Sequence, residues 1–368
     1  MEEVAFPCPL RSLNTNMKST AIAVFALVAL ARTSAQAQVV SGQVVDSVSA
    51  MPVPRGFVVL LDRANAEVAR GLADPDGRFT LRAPSPGTYR LRSERIGFHL
   101  AVSDPFTVSP EGITGYVLAI SALPIRLADL AIRADGECQA IGEQQVATLV
   151  WEEARKALAA VAWGQRGQLL FDLRLRQRNL SPELEVVGET SRRVSGAATR
   201  PFTTPTPAEL STRGYVRKER DGSRLFDGPD AEILFSNTFL TEHCFRVATD
   251  TSARLVGLAF EPVRKRKLPE IAGTIWVDER SAELRFVSYR YVSTGMVGVD
   301  GEATGRVEFE SLQDGLWIAR QWYIRLPVVQ MMNRPVSGAR SMRLVPTPVI
   351  KSYVENGGEV LGVSPTRP

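Results

Sequence analysis

Apolar positions change rhythm along the chain, and each rhythm predicts a different element. Between Ala21 and Ala31 they run almost unbroken, AIAVFALVALA. From Val39 onward they come in short bursts divided by turn residues. Residues 39–46 predict a strand. Residues 57–61, FVVLL, are continuously apolar and predict a strand of the buried kind. In 78–82, Phe79 and Leu81 face one way and Arg78, Thr80 and Arg82 the other. Short strands are also expected at 89–92, 106–108 and 116–118. Asp74-Pro75-Asp76-Gly77 and Pro86-Gly87 are turn signals between them. Strands at this spacing predict a small antiparallel sandwich.

The rhythm then becomes helical over 143–162. Val146, Leu149, Val150, Ala154, Ala157, Leu158 and Val161 form one apolar stripe, with Glu152, Glu153, Arg155 and Lys156 assigned to the other side. Trp163-Gly164 ends it. The remainder alternates with period two. Phe171, Leu173 and Leu175 alternate with Asp172, Arg174 and Arg176, and Val307 and Phe309 with Arg306, Glu308 and Glu310. Segments 255–260, 273–277, 284–292, 316–326 and 341–345 add further strands, with hairpin turns at 278–281 and 313–315. This predicts eight or nine consecutive strands after one helix, with 195–230, rich in Pro, Thr and Gly, as the longest irregular stretch. Long consecutive hairpins twist and curl, so a closed or half-open barrel is expected. Trp276, Phe286, Phe309, Trp317 and Trp322, with Tyr289 and Tyr323, would fill its interior, as plain core or as the lining for an apolar ligand. The pattern resembles the half-barrel of periplasmic lipoprotein carriers, a curved sheet closed by a helix.

An ordered set of residues in the first strand-rich region is more specific. It comprises Gly42-x-Val44-x-Asp46, Pro52 and Pro54, Val58-x-Leu60, Asp76-Gly77-x-Phe79-x-Leu81, Pro86-Gly87-x-Tyr89-x-Leu91, and Gly97. Taken together it resembles the carboxypeptidase regulatory-like domain, a transthyretin-like (prealbumin-type) β-sandwich. The resemblance spans about residues 38–125. It implies Gly77 and Gly87 at turns and Phe79, Tyr89 and Leu91 turned inward. It also implies a non-catalytic accessory module for docking or ligand binding, carbohydrate included. It brings no catalytic residue with it.

The apolar run at Ala21 acquires its meaning from its flanks. Met17-Lys18 precedes it and Ala35-Gln36-Ala37 follows. A cationic start, a short apolar core and an Ala-x-Ala end define a secretory signal peptide. The run falls short of the roughly 20 apolar residues that span a bilayer. The leader is thus expected to start at Met17 and to be cleaved after Ala37, with residues 1–16 read as an upstream mis-start. No later segment predicts a transmembrane helix. The expected divisions are a leader over 1–37, a sandwich over 38–125, a linker over 126–142 and a helix-plus-sheet domain over 143–368. Cleavage removes Cys8 and leaves Cys138 and Cys244, which are expected to form a disulfide in an oxidising compartment. Closing a loop of about a hundred residues is worth roughly 4–5 kcal/mol in the chain-entropy account.

Composition narrows the chemistry. The chain has 368 residues, 44 Lys and Arg against 40 Asp and Glu, and 2 His. That near balance excludes a dedicated nucleic-acid binder, which concentrates basic charge on one face. A zinc carboxypeptidase needs His-x-x-Glu, but His99 is followed at +3 by Val102 and His243 by Arg246. His243-Cys244 reads as a structural cystine beside a His more readily than as a nucleophile with its base. Asp74 and Asp76 lack a complete calcium loop and are explained by the turn. Arg264-Lys265-Arg266-Lys267 is expected in a solvated hairpin loop. No metal or cofactor is expected. The resulting expectation is a secreted or periplasmic, non-catalytic envelope protein whose partner is another envelope protein or a glycan. A lipid carrier built on the C-terminal sheet is the alternative, and an undetected hydrolase stays open.

Overall fold

The computed structural model describes residues 38–96, 98, 100–121, 145–164, 169–312, 317–337 and 342–365. The leader, the linker, Cys138, Gly97, His99 and the 313–315 turn therefore lie outside the described residues. The first eight strands are β1 (Gln38–Asp46), β2 (Phe57–Leu61), β3 (Glu67–Leu72), β4 (Arg78–Ala83), β5 (Gly87–Glu94), β6 (Ala101–Val102), β7 (Phe106–Val108) and β8 (Ile113–Ile120). They form a two-sheet sandwich. One sheet has the order β4-β1-β8; the other runs β3-β2-β5-β6, with β7 also on β5. Phe79, Leu81, Tyr89 and Leu91 are buried between the sheets with Val40, Val58, Leu60 and Ile120, as the alternation requires. One pairing departs from the antiparallel pattern. β8 lies parallel to β1, because it returns from the opposite sheet and enters beside the first strand in the same direction.

Two glycines show why the sandwich is specific about sequence. Gly77 has φ +73° in the turn before β4, and a Cβ there would meet the backbone of Val44 and Val53. Asp74 completes that turn by accepting the Asp76 and Arg78 amides at 2.9 and 2.8 Å. This bonding is the turn chemistry expected, with the carboxylate spent on the backbone. Gly42 stands where a Cβ would lie 1.9 Å from the Tyr116 carbonyl oxygen. Gly87, by contrast, is the first residue of β5.

The second half begins with α1 (Gln145–Gly164), then β9 (Leu169–Leu180), β10 (Val186–Ala198), α2 (Pro207–Arg213), β11 (Val216–Lys218), β12 (Arg224–Phe226), α3 (Ala231–Phe235) and α4 (Asn237–Glu242). It continues with β13 (His243–Asp250), β14 (Leu255–Pro262), β15 (Glu270–Asp278), β16 (Leu284–Val292), β17 (Thr304–Ser311), β18 (Trp317–Ser337) and β19 (Met342–Pro365). Nine of these strands form a single antiparallel sheet, β10-β9-β19-β18-β17-β16-β15-β14-β13. β10 and β13 remain edges, so the barrel does not close. The expectation of one helix is also corrected. Among the described residues, α2, α3 and α4 accompany α1. The stretch expected to be irregular holds α2 and the β11-β12 hairpin. Its helix start was written in Thr206-x-x-Glu209, which forms a complete capping box.

Cross-strand register gives the nine-stranded sheet two different faces. One row runs Leu175, Gly358, Trp322, Val307, Val287, Ile275, Leu258 and Val247. It is apolar and lies on the face toward α1. The neighbouring row on the other face runs Arg174, Glu359, Gln321, Glu308, Phe286 and Trp276. Ion pairs bridge strands there, including Arg174–Glu359 at 2.8 Å and Arg325–Glu355 at 2.7 Å. Alternation with period two thus places the core on one side and water on the other.

The helix departs from its expected amphipathic division. Val150, Ala154, Ala157, Leu158 and Val161 are buried as the stripe requires, but so are Trp151, Glu153 and Lys156. Lys156 Nζ donates to Glu153 Oε1 at 2.5 Å and to the Phe98 carbonyl oxygen at 2.6 Å. The supposed polar side is therefore covered at Glu153 and Lys156, where the sandwich's Phe98 meets the helix, and the sandwich's Phe57 joins the core cluster around α1. The two halves share one packed boundary. Lys156→Met is expected to cost roughly 3–5 kcal/mol, because it removes the ammonium beside a fully buried carboxylate. Adding Glu153→Leu should recover most of that loss. Urea unfolding of the single and double variants checks both statements.

Candidate functional site

A cleft of about 830 Å³ opens on the apolar face of the large sheet, beyond the part that α1 covers. That size is in the range of small-molecule sites. Its floor comes from β17, β18 and β16: Val307, Trp322, Ile324, Leu326 and Tyr289. Its cover comes from the segment between β10 and α3, with Phe202, Thr203, Leu225, Phe226 and Gly228. Phe202 lies against Trp322 with ring centroids 5.2 Å apart. Phe226 meets Tyr291 edge-on at 5.0 Å, and the Tyr291 hydroxyl donates to the Asp227 carbonyl oxygen at 3.0 Å. These contacts fasten the cover to the floor.

Small residues make room for the aromatic floor. Gly305 stands opposite Tyr289 across the strands, and a Cβ there would lie 2.3 Å from the Tyr289 ring. Gly358 stands opposite Trp322, and its Cβ would lie 2.7 Å from that indole. The rings lie over glycines and so fit between closely spaced strands.

The polar groups of the cleft are unequal. Asp227 is neutralised by Arg213 at 2.9 Å. Arg192 borders the cleft opposite Leu175, and Arg224 borders it from the cover. Neither arginine makes an ion pair with an acid among the described residues. The cleft therefore combines an apolar trough with arginines at its margin, Arg192 and Arg224 among them. Burial pushes the Tyr289 hydroxyl well above its ordinary value and keeps it a neutral donor.

The five aromatic residues expected to line an interior separate. Trp322 is in the cleft floor. Phe309 and Trp317 belong to the core cluster. Trp276 and Phe286 stand opposite each other on the outer face, where the Arg306 guanidinium stacks 3.5 Å from the Phe286 ring centre. The one-residue offset between Trp276 and Ile275 accounts for this. The cover residues Phe202, Phe226 and Arg224 were not expected, because they belong to a stretch without periodicity. Trp322-x-Ile324-x-Leu326 was the legible signal for the floor.

A second group of titratable residues lies under α4. His243 Nδ1 donates to the Phe239 carbonyl oxygen at 2.9 Å, and its Nε2 is 3.8 Å from Glu270 Oε2. Both of these facing atoms lack a hydrogen-bond partner among the described residues. Arg266 binds Glu270, contacts Glu242 at 2.9 Å, and donates to the Leu210 carbonyl oxygen at 3.1 Å. The basic run is thus not wholly solvated as expected: its third residue is drawn inward to this acid pair. His243 and Cys244 are consecutive on β13, so their side chains point to opposite faces. Cys138, the expected partner of Cys244, lies outside the described residues. Among the described residues no three His, Cys, Asp or Glu side chains gather as a metal site requires.

Burial holds His243 down at about 4 and pushes Glu270 up to about 7, despite the neighbouring Arg266. The two groups act in opposite directions on stability. Glu270 prefers its proton in the folded state, so its contribution is present below pH 4.5 and is lost as pH rises through about 7. His243 prefers to be neutral, so its contribution is present above pH 6.5 and is lost as pH falls through about 4. Glu270→Gln is expected to remove the first limb. The urea midpoint of the parent should fall relative to that of the variant between about pH 5 and pH 8, and parallel titrations of the two proteins measure the difference.

No helix among the described residues is long and apolar enough to cross a membrane. Comparison with curated proteins gives no match, and the C-terminal part matches no family model. Residues 39–121 match the family model of the carboxypeptidase regulatory-like domain, and the two-sheet body built from β1 to β8 is a β-sandwich domain of that family.

Proposed function

We propose that this chain is an exported, non-catalytic cell-envelope protein that holds an amphipathic ligand in its C-terminal sheet. The observation that carries the reading is the open cleft of about 830 Å³, with an aromatic and aliphatic floor and arginines at the margin. A filled sheet face would have argued for a scaffold alone. An acyl chain or similar apolar body suits the trough. An anionic head suits Arg192 and Arg224, because a guanidinium offers a paired fork of donors to a carboxylate or phosphate. The sandwich acts as the docking module, for an envelope protein or a glycan.

Export rests on the leader read between Met17 and Ala37. Protein recovered from the periplasm or medium should begin at Gln38 by N-terminal sequencing. Its intact mass without reductant should be about two hydrogens below the reduced mass, as a Cys138–Cys244 disulfide requires. A protein retaining its leader in the cytosol would contradict the reading.

The cleft is tested with a fluorescent fatty-acid analogue. The parent should bind it saturably. Ile324→Gln places an amide in the apolar floor and should weaken binding about tenfold, while the fold, followed by circular dichroism, is kept. Native mass spectrometry of the protein purified from the envelope should show a co-purifying lipid. Undiminished dye binding by the variant would remove the cleft from the proposal.

A further inference from the structure

The longest two strands extend past the sheet they belong to. β17 pairs with β18 only as far as Arg325, and β9 pairs with β19 only as far as Tyr353. Beyond these points β18 and β19 pair solely with each other, from Val328 opposite Ser352 out to Ser337 opposite Met342. This two-stranded arm is about 30 Å long at the usual rise per residue. Its root is propped where Gly298 packs against Val329 and Pro348. Its surface is unusual for an arm in water. Val328, Met331, Met332, Leu344 and Val345 are all exposed, with Met331 at 51% and Leu344 at 62%.

Its charge is one-sided. Between Arg325 and Glu355 there is no Asp or Glu, while Arg334, Arg340, Arg343 and Lys351 are present. Elsewhere on the outer face of the sheet, cross-strand acids pair with Arg174, Arg178 and Arg325. On the arm, the exposed Arg334 and Lys351 have no acid partner among the described residues. Exposed apolar side chains set among uncompensated cations match an anionic lipid surface, where each basic residue near the surface adds about 1 kcal/mol.

The backbone selects between occupants. A second copy would dock most simply by adding its own strand to the arm's open edges. Pro327, Pro335, Pro346 and Pro348 withdraw donors from those strands and make such pairing poor. The same open edges exclude the hydrocarbon centre, where unpaired backbone groups are too costly. The headgroup layer satisfies both conditions. It hydrates the edges, accepts methionine and leucine, and attracts arginine and lysine.

We infer that the β18–β19 arm is a contact surface for an anionic phospholipid bilayer, lying in the headgroup layer. This stands independently of what the cleft holds. The arm is nonetheless continuous with it, since Trp322, Ile324, Leu326 and Val328 recur with period two along β18.

The experiment is co-sedimentation of the full chain with vesicles of phosphatidylcholine alone and of equimolar phosphatidylcholine and phosphatidylglycerol. Binding is expected only to the mixed vesicles, and should weaken as salt rises. Arg334→Gln with Lys351→Gln should lower the partition coefficient about thirtyfold, from two lost charges. Met331→Ser with Leu344→Ser should lower it about tenfold. All four positions are on the arm, and unchanged urea unfolding confirms that the variants fold. Ile324→Gln should leave vesicle binding unchanged, so the cleft and the arm fail separately. Equal binding to both vesicles, binding to neither, or variants that bind like the parent would overturn the proposal. Self-association abolished by the arm variants, without vesicle binding, would assign the arm to a second copy and overturn it too.

Discussion

The C-terminal body depends on one constraint, the cross-strand register of its nine-stranded sheet. Side chains alternate between faces, so a slip of one residue exchanges the two faces entirely. In the observed register, Leu258, Ile275, Val287, Val307 and Trp322 align as one apolar row. Arg174, Glu359, Arg178 and Glu355 fall on the opposite side and pair across strands. A register displaced by one residue would bury those charges and expose the row. The ion pairs add little energy individually where water reaches them. Their larger effect is to make wrong pairings costly, and the apolar row supplies the burial that holds the right one.

The cleft follows from the same register. α1 covers only part of the apolar face, and the remainder is roofed by a separate segment between β10 and α3. Floor and roof are fastened by aromatic contacts and by the Tyr291 hydroxyl, but they do not fill the space between them. Glycines at 305 and 358 let large rings lie flat on the sheet, which keeps the floor broad instead of ridged. Site and scaffold are therefore products of one pattern: bulky residues and glycines alternating across strands.

Much of this was legible along the chain. The sandwich strands, the turn at Asp76-Gly77 and the inward residues Phe79, Tyr89 and Leu91 follow from alternation and turn chemistry. So does the long meander, because period two persists through β9 and from β14 to β18. Four features were not legible. β3, EVARGL, lacks a clear alternation and is held by its neighbours. Glu153 and Lys156 read as solvated because a helical wheel cannot show that a second body covers that side. The cover of the cleft escaped because Phe202 and Phe226 lie in a stretch whose structure comes from caps and short hairpins. Trp276 and Phe286 were assigned inward as aromatics, but strand parity outweighed residue type.

The pairing of β9 with β19 also imposes an order in time. β9 is the first strand of its sheet to be synthesised, yet one of its two neighbours consists of residues 342–365. Until those residues leave the ribosome, β9 and β10 are a hairpin open on both edges, and the meander from β13 to β18 has nothing to join. The sandwich waits in the same manner, for β1 is flanked by β8. Each body is thus completed by its last strand, and the nascent chain exposes unfinished sheet edges until that strand is made.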